Sequence, residues 1–205
     1  MRRVNLKSIS LVASYAFLGF WTASAHASFH LWKVDEVFSN ASGSVQYIEF
    51  QQPNFEFDDE RFLTSGGTVT DSTLSHTLNF LTDLPSAPNA NSHFLVATPG
   101  YVALKGVPAP DYVLPSNNFF STSADTIIYA GGVNSLAFTA GQLPVDGVLS
   151  LNRAYGSSTF TTATNSPTNF AGQTGTVSLP EPGVFAIAAG SALIGLIRPR
   201  RRRAS

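Results

Sequence analysis

Turn-forming residues recur so closely along the middle of this chain that no long helix fits between them. From about residue 29 onwards, Gly, Pro and Asn clusters interrupt the sequence roughly every 8–15 residues. Between them lie short runs rich in β-branched and aromatic residues: 29–38, 45–51, 68–70, 75–81, 93–98, 111–114, 124–130, 135–139 and 147–152. Ser39-Asn40-Ala41-Ser42-Gly43 separates the first two runs and predicts an opening β-hairpin. In the first run Trp32, Val34 and Phe38 alternate onto one face. Gly66-Gly67, Pro99-Gly100 and Gly131-Gly132 mark further turns. No window carries a sustained 3.6-residue stripe, so the fold class is all-β, a sandwich or a barrel.

The two ends carry different signals. Arg2, Arg3 and Lys7 form a basic segment, 9–21 is apolar, and Ala25-His26-Ala27 is an A-x-A cleavage site, so 1–27 reads as a signal peptide cleaved before Ser28. Arg2-Arg3 invites a twin-arginine reading, but Asn5 stands where that signal wants an apolar residue, which favours Sec export. At the other end Leu179-Pro180-Glu181-Pro182-Gly183 precedes an uncharged run, 184–197, and then Arg198-Pro199-Arg200-Arg201-Arg202-Arg203. As a helix at about 1.5 Å per residue that run spans roughly 20–23 Å, short of a ~30 Å hydrocarbon core. It is apolar on every face, as a membrane helix is, and the arginines place its end in the cytoplasm. Pro180 and Pro182 keep the preceding segment extended.

This order of tripeptide, apolar helix and basic cluster over 179–205 resembles a PEP-CTERM sorting signal. The resemblance implies recognition at Pro180, Glu181 and Pro182 by an exosortase-type membrane transpeptidase, and removal of the rest of the tail, Arg200, Arg201, Arg202 and Arg203 included. It also implies a transient stay in the inner membrane, then release to the cell surface or matrix of an exopolysaccharide-making Gram-negative host.

Between the two signals the charge balance changes. From Ser28 to Leu179 the cations are Lys33, Arg61, Lys105 and Arg153, four against twelve carboxylates, a net charge of −8 with histidines neutral. Such a surface repels phosphate backbones and argues against a nucleic-acid partner. There is no cysteine, so neither disulfides nor thiolate metal sites hold the exported domain. A mature chain of about 150 residues buries enough apolar surface to fold on its core alone. The organisation expected is a domain over 28–158, then a Thr/Asn/Gly-rich spacer over 159–178 that could lend an edge strand.

The first hairpin carries a second resemblance. Val34-Asp35-Glu36-Val37, a turn, and Gln46-Tyr47-Ile48-Glu49-Phe50 are similar to the opening of lamin-tail-like domains. His93-Phe94-Leu95-Val96-Ala97-Thr98 and Asp125-Thr126-Ile127-Ile128 resemble later strands of that family. Asp35 stands where the family usually has Asn, and the Gly-Trp hairpin motif common in that family is missing. The resemblance implies an immunoglobulin-like β-sandwich between the signal peptide and the membrane helix.

Candidate chemistry is sparse. Glu36 and Glu49 fall on paired strands and can face each other, either as an acid/base pair or as acceptors for a loop backbone. Asp58, Asp59 and Glu60 offer oxygen ligands to Ca²⁺, though their spacing matches no EF-hand or RTX repeat. His30, His76 and His93 fall on separate strands, which sets out no zinc site by spacing. No Gly-x-Ser-x-Gly elbow occurs. Trp32, Tyr47, Tyr101 and Tyr112 are expected in the core, exposed members being able to stack on sugar rings. The expectation is a non-enzymatic surface or matrix protein without a required cofactor. A carbohydrate- or calcium-binding module and a secreted hydrolase are the alternatives.

Overall fold

In the computed structural model, residues 29–53 and 58–179 are described. The signal peptide with Ala25, Ala27 and Ser28 lies outside them, as does everything from Pro180 on, including 184–197 and the terminal arginines. Among the described residues no helix is long and apolar enough to cross a membrane.

The opening hairpin forms where expected. β1 (Lys33–Ser39) pairs antiparallel with β2 (Gln46–Gln51), and Gly43, at φ +66°, supplies the left-handed residue of the turn between them. Eight more strands come after it: β3 (Thr68–Asp71), β4 (Thr77–Asn79), β5 (His93–Ala97), β6 (Tyr112–Val113), β7 (Asp125–Tyr129), β8 (Asn134–Phe138), β9 (Leu149–Asn152) and β10 (Thr161–Thr164). Thr98, next after β5, caps the single-turn helix α1 (Pro99–Val102) with Pro at its start. A Cβ at Gly100 would lie 2.0 Å from the Ser44 carbonyl oxygen, so only glycine lets α1 approach the β1–β2 turn.

The strands form two sheets, one in the order β10-β9-β1-β2-β5-β6 and the other β4-β3-β7-β8. All pairings are antiparallel except β5 with β6. Their inner faces meet in one core. Val34, Val37, Ile48, Phe50, Phe94 and Val96 from the larger sheet pack with Val69, Ile127, Tyr129, Leu136 and Phe138 from the smaller. Phe50 stacks on Phe94 with centroids 4.5 Å apart and meets Tyr129 across the layers at 4.9 Å. The fold is therefore all-β with two packed sheets.

Strict alternation fails in β1. Val34 faces Phe50 and Glu36 faces Glu49, so Asp35 is an extra residue, a β-bulge. The bulge reverses which residues face inward: Trp32 and Val34 lie in the inter-sheet core, but beyond it Val37 does so in place of Phe38. Phe38 moves to the outer face and joins Val45, Tyr47, Leu95, Ala97, Tyr101 and Val177 in a second apolar cluster. The expectation that Phe38 shares a face with Trp32 is corrected for this reason.

The Thr/Asn/Gly-rich stretch does lend an edge strand, β10, paired with β9 from Thr161↔Asn152 to Thr164↔Leu149. It then goes further. Residues 165–177 fold back on themselves: Thr168 bridges Thr174, the Gly175 N–H donates to the Pro167 carbonyl, and Asn165 meets Val177. This C-terminal hairpin lies over the outer face of the larger sheet. Packing thus continues past residue 158, through the stretch expected to be a spacer.

Candidate functional site

The outer face of the larger sheet is half apolar and half acidic. Beyond the bulge, β1 and β2 present Phe38 against Tyr47 and Glu36 against Glu49, and β5 adds His93. The carboxylate pair expected from sequence therefore does face across the hairpin. Both glutamates are buried, at 2% exposure each.

Buried carboxylates require donors, and the C-terminal hairpin supplies them from its main chain. The Ser166 N–H donates to Glu36 Oε1 at 2.9 Å, and its hydroxyl to Oε2 at 3.0 Å. The Thr168 N–H donates to Glu49 Oε2 at 2.6 Å. The Phe170 N–H donates to Asp111 Oδ2 at 2.9 Å, which also accepts from Leu95 N–H at 2.8 Å. Every second amide of an extended segment thus meets a side-chain acceptor, so the segment docks without pairing as a strand. The Tyr47 hydroxyl closes on Glu36 Oε1. His93 Nδ1 lies 2.5 Å from Glu49 Oε1.

The bulged Asp35 completes this group. Ligand atoms of Asp35, Glu49 and His93 all lie within 4.8 Å of one another. Burial pushes Asp35 up to about 6; His93 pulls it down and Glu36 adds to the rise. Burial likewise pushes Glu49 up to about 7 against the pull of His93 and Thr168. Burial alone would lower His93, but Glu49, Asp35 and Glu36 together outweigh it and raise the imidazole above its ordinary value. Both members of the Glu49–His93 pair hold protons more tightly than free side chains do.

The other residues singled out from sequence lie apart from this group. The backbone of Asp58 and Asp59 forms a 3-10 turn, Asp58–Arg61, while their side chains lie outside the described residues. Glu60 is buried, accepting from Leu31 N–H at 2.9 Å and meeting His30 Nδ1 at 2.9 Å. His76 Nδ1 lies 2.8 Å from the Phe119 carbonyl oxygen and 3.6 Å from Asp71 Oδ2. The three histidines therefore do not converge. Trp32, Tyr47 and Tyr101 are buried and Tyr112 half-buried, so none presents an open ring face.

Two further acids serve loops as Glu36 and Glu49 do. Asp71 accepts from the N–H groups of Thr73, Leu74 and His76. Asp125 accepts from those of Ser72, Thr73, Ser121 and Thr126. Much of the acidic excess thus pins loop amides. Sequence inspection paired Glu36 with Glu49 but missed Asp35 and Asp111, because the bulge and the hairpin that recruit them leave no periodic trace. No protein-family model and no curated protein matches this chain.

Proposed function

We propose that this is an exported, non-enzymatic surface or matrix protein whose C-terminal tail is a removable sorting signal of the PEP-CTERM type. The observation that carries the reading is the order Pro180-Glu181-Pro182, uncharged 184–197, then Arg200, Arg201, Arg202 and Arg203, matched by the export signal in 1–27. An exosortase-type transpeptidase is the processing partner, and an exopolysaccharide matrix the destination. The packed hairpin supports this division of labour. Packing continues to Val177 and Leu179, so the tripeptide comes directly after the folded body in the chain. The two-sheet architecture supports an immunoglobulin-like, lamin-tail-like assignment of the body. Glu36 and Glu49 commit their oxygens to Tyr47, Ser166, His93 and Thr168, which favours a structural over a catalytic use of the pair.

The test replaces Pro180 and Pro182 by Ala in the native host. Sec export should persist while a longer, membrane-bound form accumulates, read by intact mass and membrane fractionation. Wild-type protein that still carries Arg200, Arg201, Arg202 and Arg203 in the inner membrane at steady state would defeat the proposal.

A further inference from the structure

We propose that Asp35, Glu49 and His93 form a binding site for a divalent cation of the class that imidazole and carboxylate together select, with Zn²⁺ as its best representative. The site goes beyond the sorting function and does not depend on it.

Three adjacent strands supply the ligands. Glu49 comes from β2 and His93 from β5, which pairs with it in register. Asp35 comes from the bulge of β1, a device that re-aims a side chain out of the alternating pattern. Their ligand atoms lie within 4.8 Å of one another. The Thr168 N–H holds Glu49 Oε2 and leaves Oε1 directed at His93, the kind of outer contact that orients a metal ligand. The Asp35 carboxylate takes no hydrogen bond among the described residues. His93 is 22% exposed and Asp35 partly so, which leaves both in contact with solvent.

Two carboxylates and an imidazole meet here, and Arg153 attracts Asp35 through space without a hydrogen bond to it. The guanidinium nitrogens donate to the Val34 and Ser135 carbonyls and to Asn134 Oδ1. The hydrogen bond between Glu49 Oε1 and His93 Nδ1 links two members of the group. A dication would replace it and bridge all three residues. Zinc bonds of about 2.0–2.1 Å in a tetrahedron place ligand atoms roughly 3.3 Å apart. Glu49 Oε1 and His93 Nδ1, now at 2.5 Å, would therefore part by a little under 1 Å. The imidazole nitrogen discriminates against Ca²⁺, which takes six to eight oxygen ligands.

The test is calorimetric titration of Zn²⁺ into the untagged full-length chain, stripped of metal by a chelator and kept in detergent. Saturable one-to-one binding is expected, with proton release seen as a buffer-dependent heat and with a raised melting temperature. Asp35→Asn should weaken binding at least about 100-fold, beyond the range an outer contact alone would give. Circular dichroism checks that this variant is folded; if it is not, His93→Gln carries the same expectation. His30→Ala and His76→Ala should leave the affinity unchanged. The proposal is overturned if millimolar Zn²⁺ fails to saturate the protein, or if the ligand variants bind as wild type does. It is equally overturned if His30→Ala or His76→Ala abolishes binding, or if Ca²⁺ displaces Zn²⁺ at equal concentration.

Discussion

Asn165→Ala should release the C-terminal hairpin while leaving the two-sheet core folded. Asn165 is 1% exposed and its side chain acts as a piece of backbone. Its Oδ1 accepts from Val177 N–H at 2.6 Å, and its Nδ2 donates to the Val177 and Val148 carbonyls at 2.7 and 2.6 Å. Three neutral hydrogen bonds at about 1 kcal/mol each give a loss near 3 kcal/mol. Leaving Val177 N–H and C=O buried without partners would add to that, so the hairpin opens to water and limits the loss to its own docking energy. The reporters are the amides of Ser166, Thr168, Phe170 and Val177, tracked by hydrogen exchange. At about 1.4 kcal/mol per tenfold, their exchange should quicken by roughly 100-fold. Amides of β2 and β7 should keep their protection. Asn165→Asp is the sharper variant, because it removes both donors and sets a carboxylate against two carbonyl oxygens. A change under about threefold in the exchange of these four amides, or equal loosening of β2 and β7, would refute the clamp.

Two further outcomes test the core and the docking. Trp32→Ala should lower unfolding free energy by about 3–5 kcal/mol in urea titrations, as large aromatic truncations do; the ring is fully buried, lies edge-on to Phe94 and donates to the Glu60 carbonyl at 2.8 Å. A loss under about 1 kcal/mol would mean that the ring contributes little packing. Asp111 holds its proton more tightly folded than unfolded, because burial outweighs the pull of the Leu95 and Phe170 amides. Its contribution is therefore full below its ordinary value of 3.8 and is lost as pH rises through its folded value. Urea midpoints measured upward from about pH 4 should fall less steeply in Asp111→Asn than in wild type; a steeper fall in the variant would reverse the assignment.

The strand pattern was legible because buried β-branched and aromatic runs between turn residues carry their own signal. Runs 45–51, 93–98 and 124–130 became β2, β5 and β7 with ends displaced by a residue or so. The facing of Glu36 and Glu49 came from the hairpin alone. Two things were not legible. The bulge at Asp35 reverses side-chain parity from one residue to the next, and nothing in Val34-Asp35-Glu36-Val37 marks the extra residue. The C-terminal hairpin docks largely through main-chain N–H groups, which every residue but proline has, and its few side-chain contacts, Asn165, Ser166 and Val177 among them, follow no period. Its acceptors lie 130, 119 and 59 residues away in sequence. β10 is exposed at all four positions, and an edge strand of that kind has no alternation to detect. The convergence of Asp35 with His93 depends on the bulge and was hidden with it.

The clamp between Asn165 and Val177 also decides how the molecule bears load. A pull applied at Leu179 acts first on its own contact with the Gly147 carbonyl, then on the Val177 pair, then on the Thr168–Thr174 bridge. The pull loads these contacts one at a time, so they break in turn, as a zip opens, and the strongest of them sets the peak force. The amides of Phe170, Thr168 and Ser166 then leave Asp111, Glu49 and Glu36, and only after that does the pull pass to β10, whose pairing with β9 spans four residue pairs. The inter-sheet aromatic core lies behind that second line and is spared until β10 detaches. Under a pull at this end the chain would therefore yield by releasing about fifteen residues of hairpin, a slack of roughly 50 Å at about 3.3 Å per extended residue, before its two-sheet core is strained.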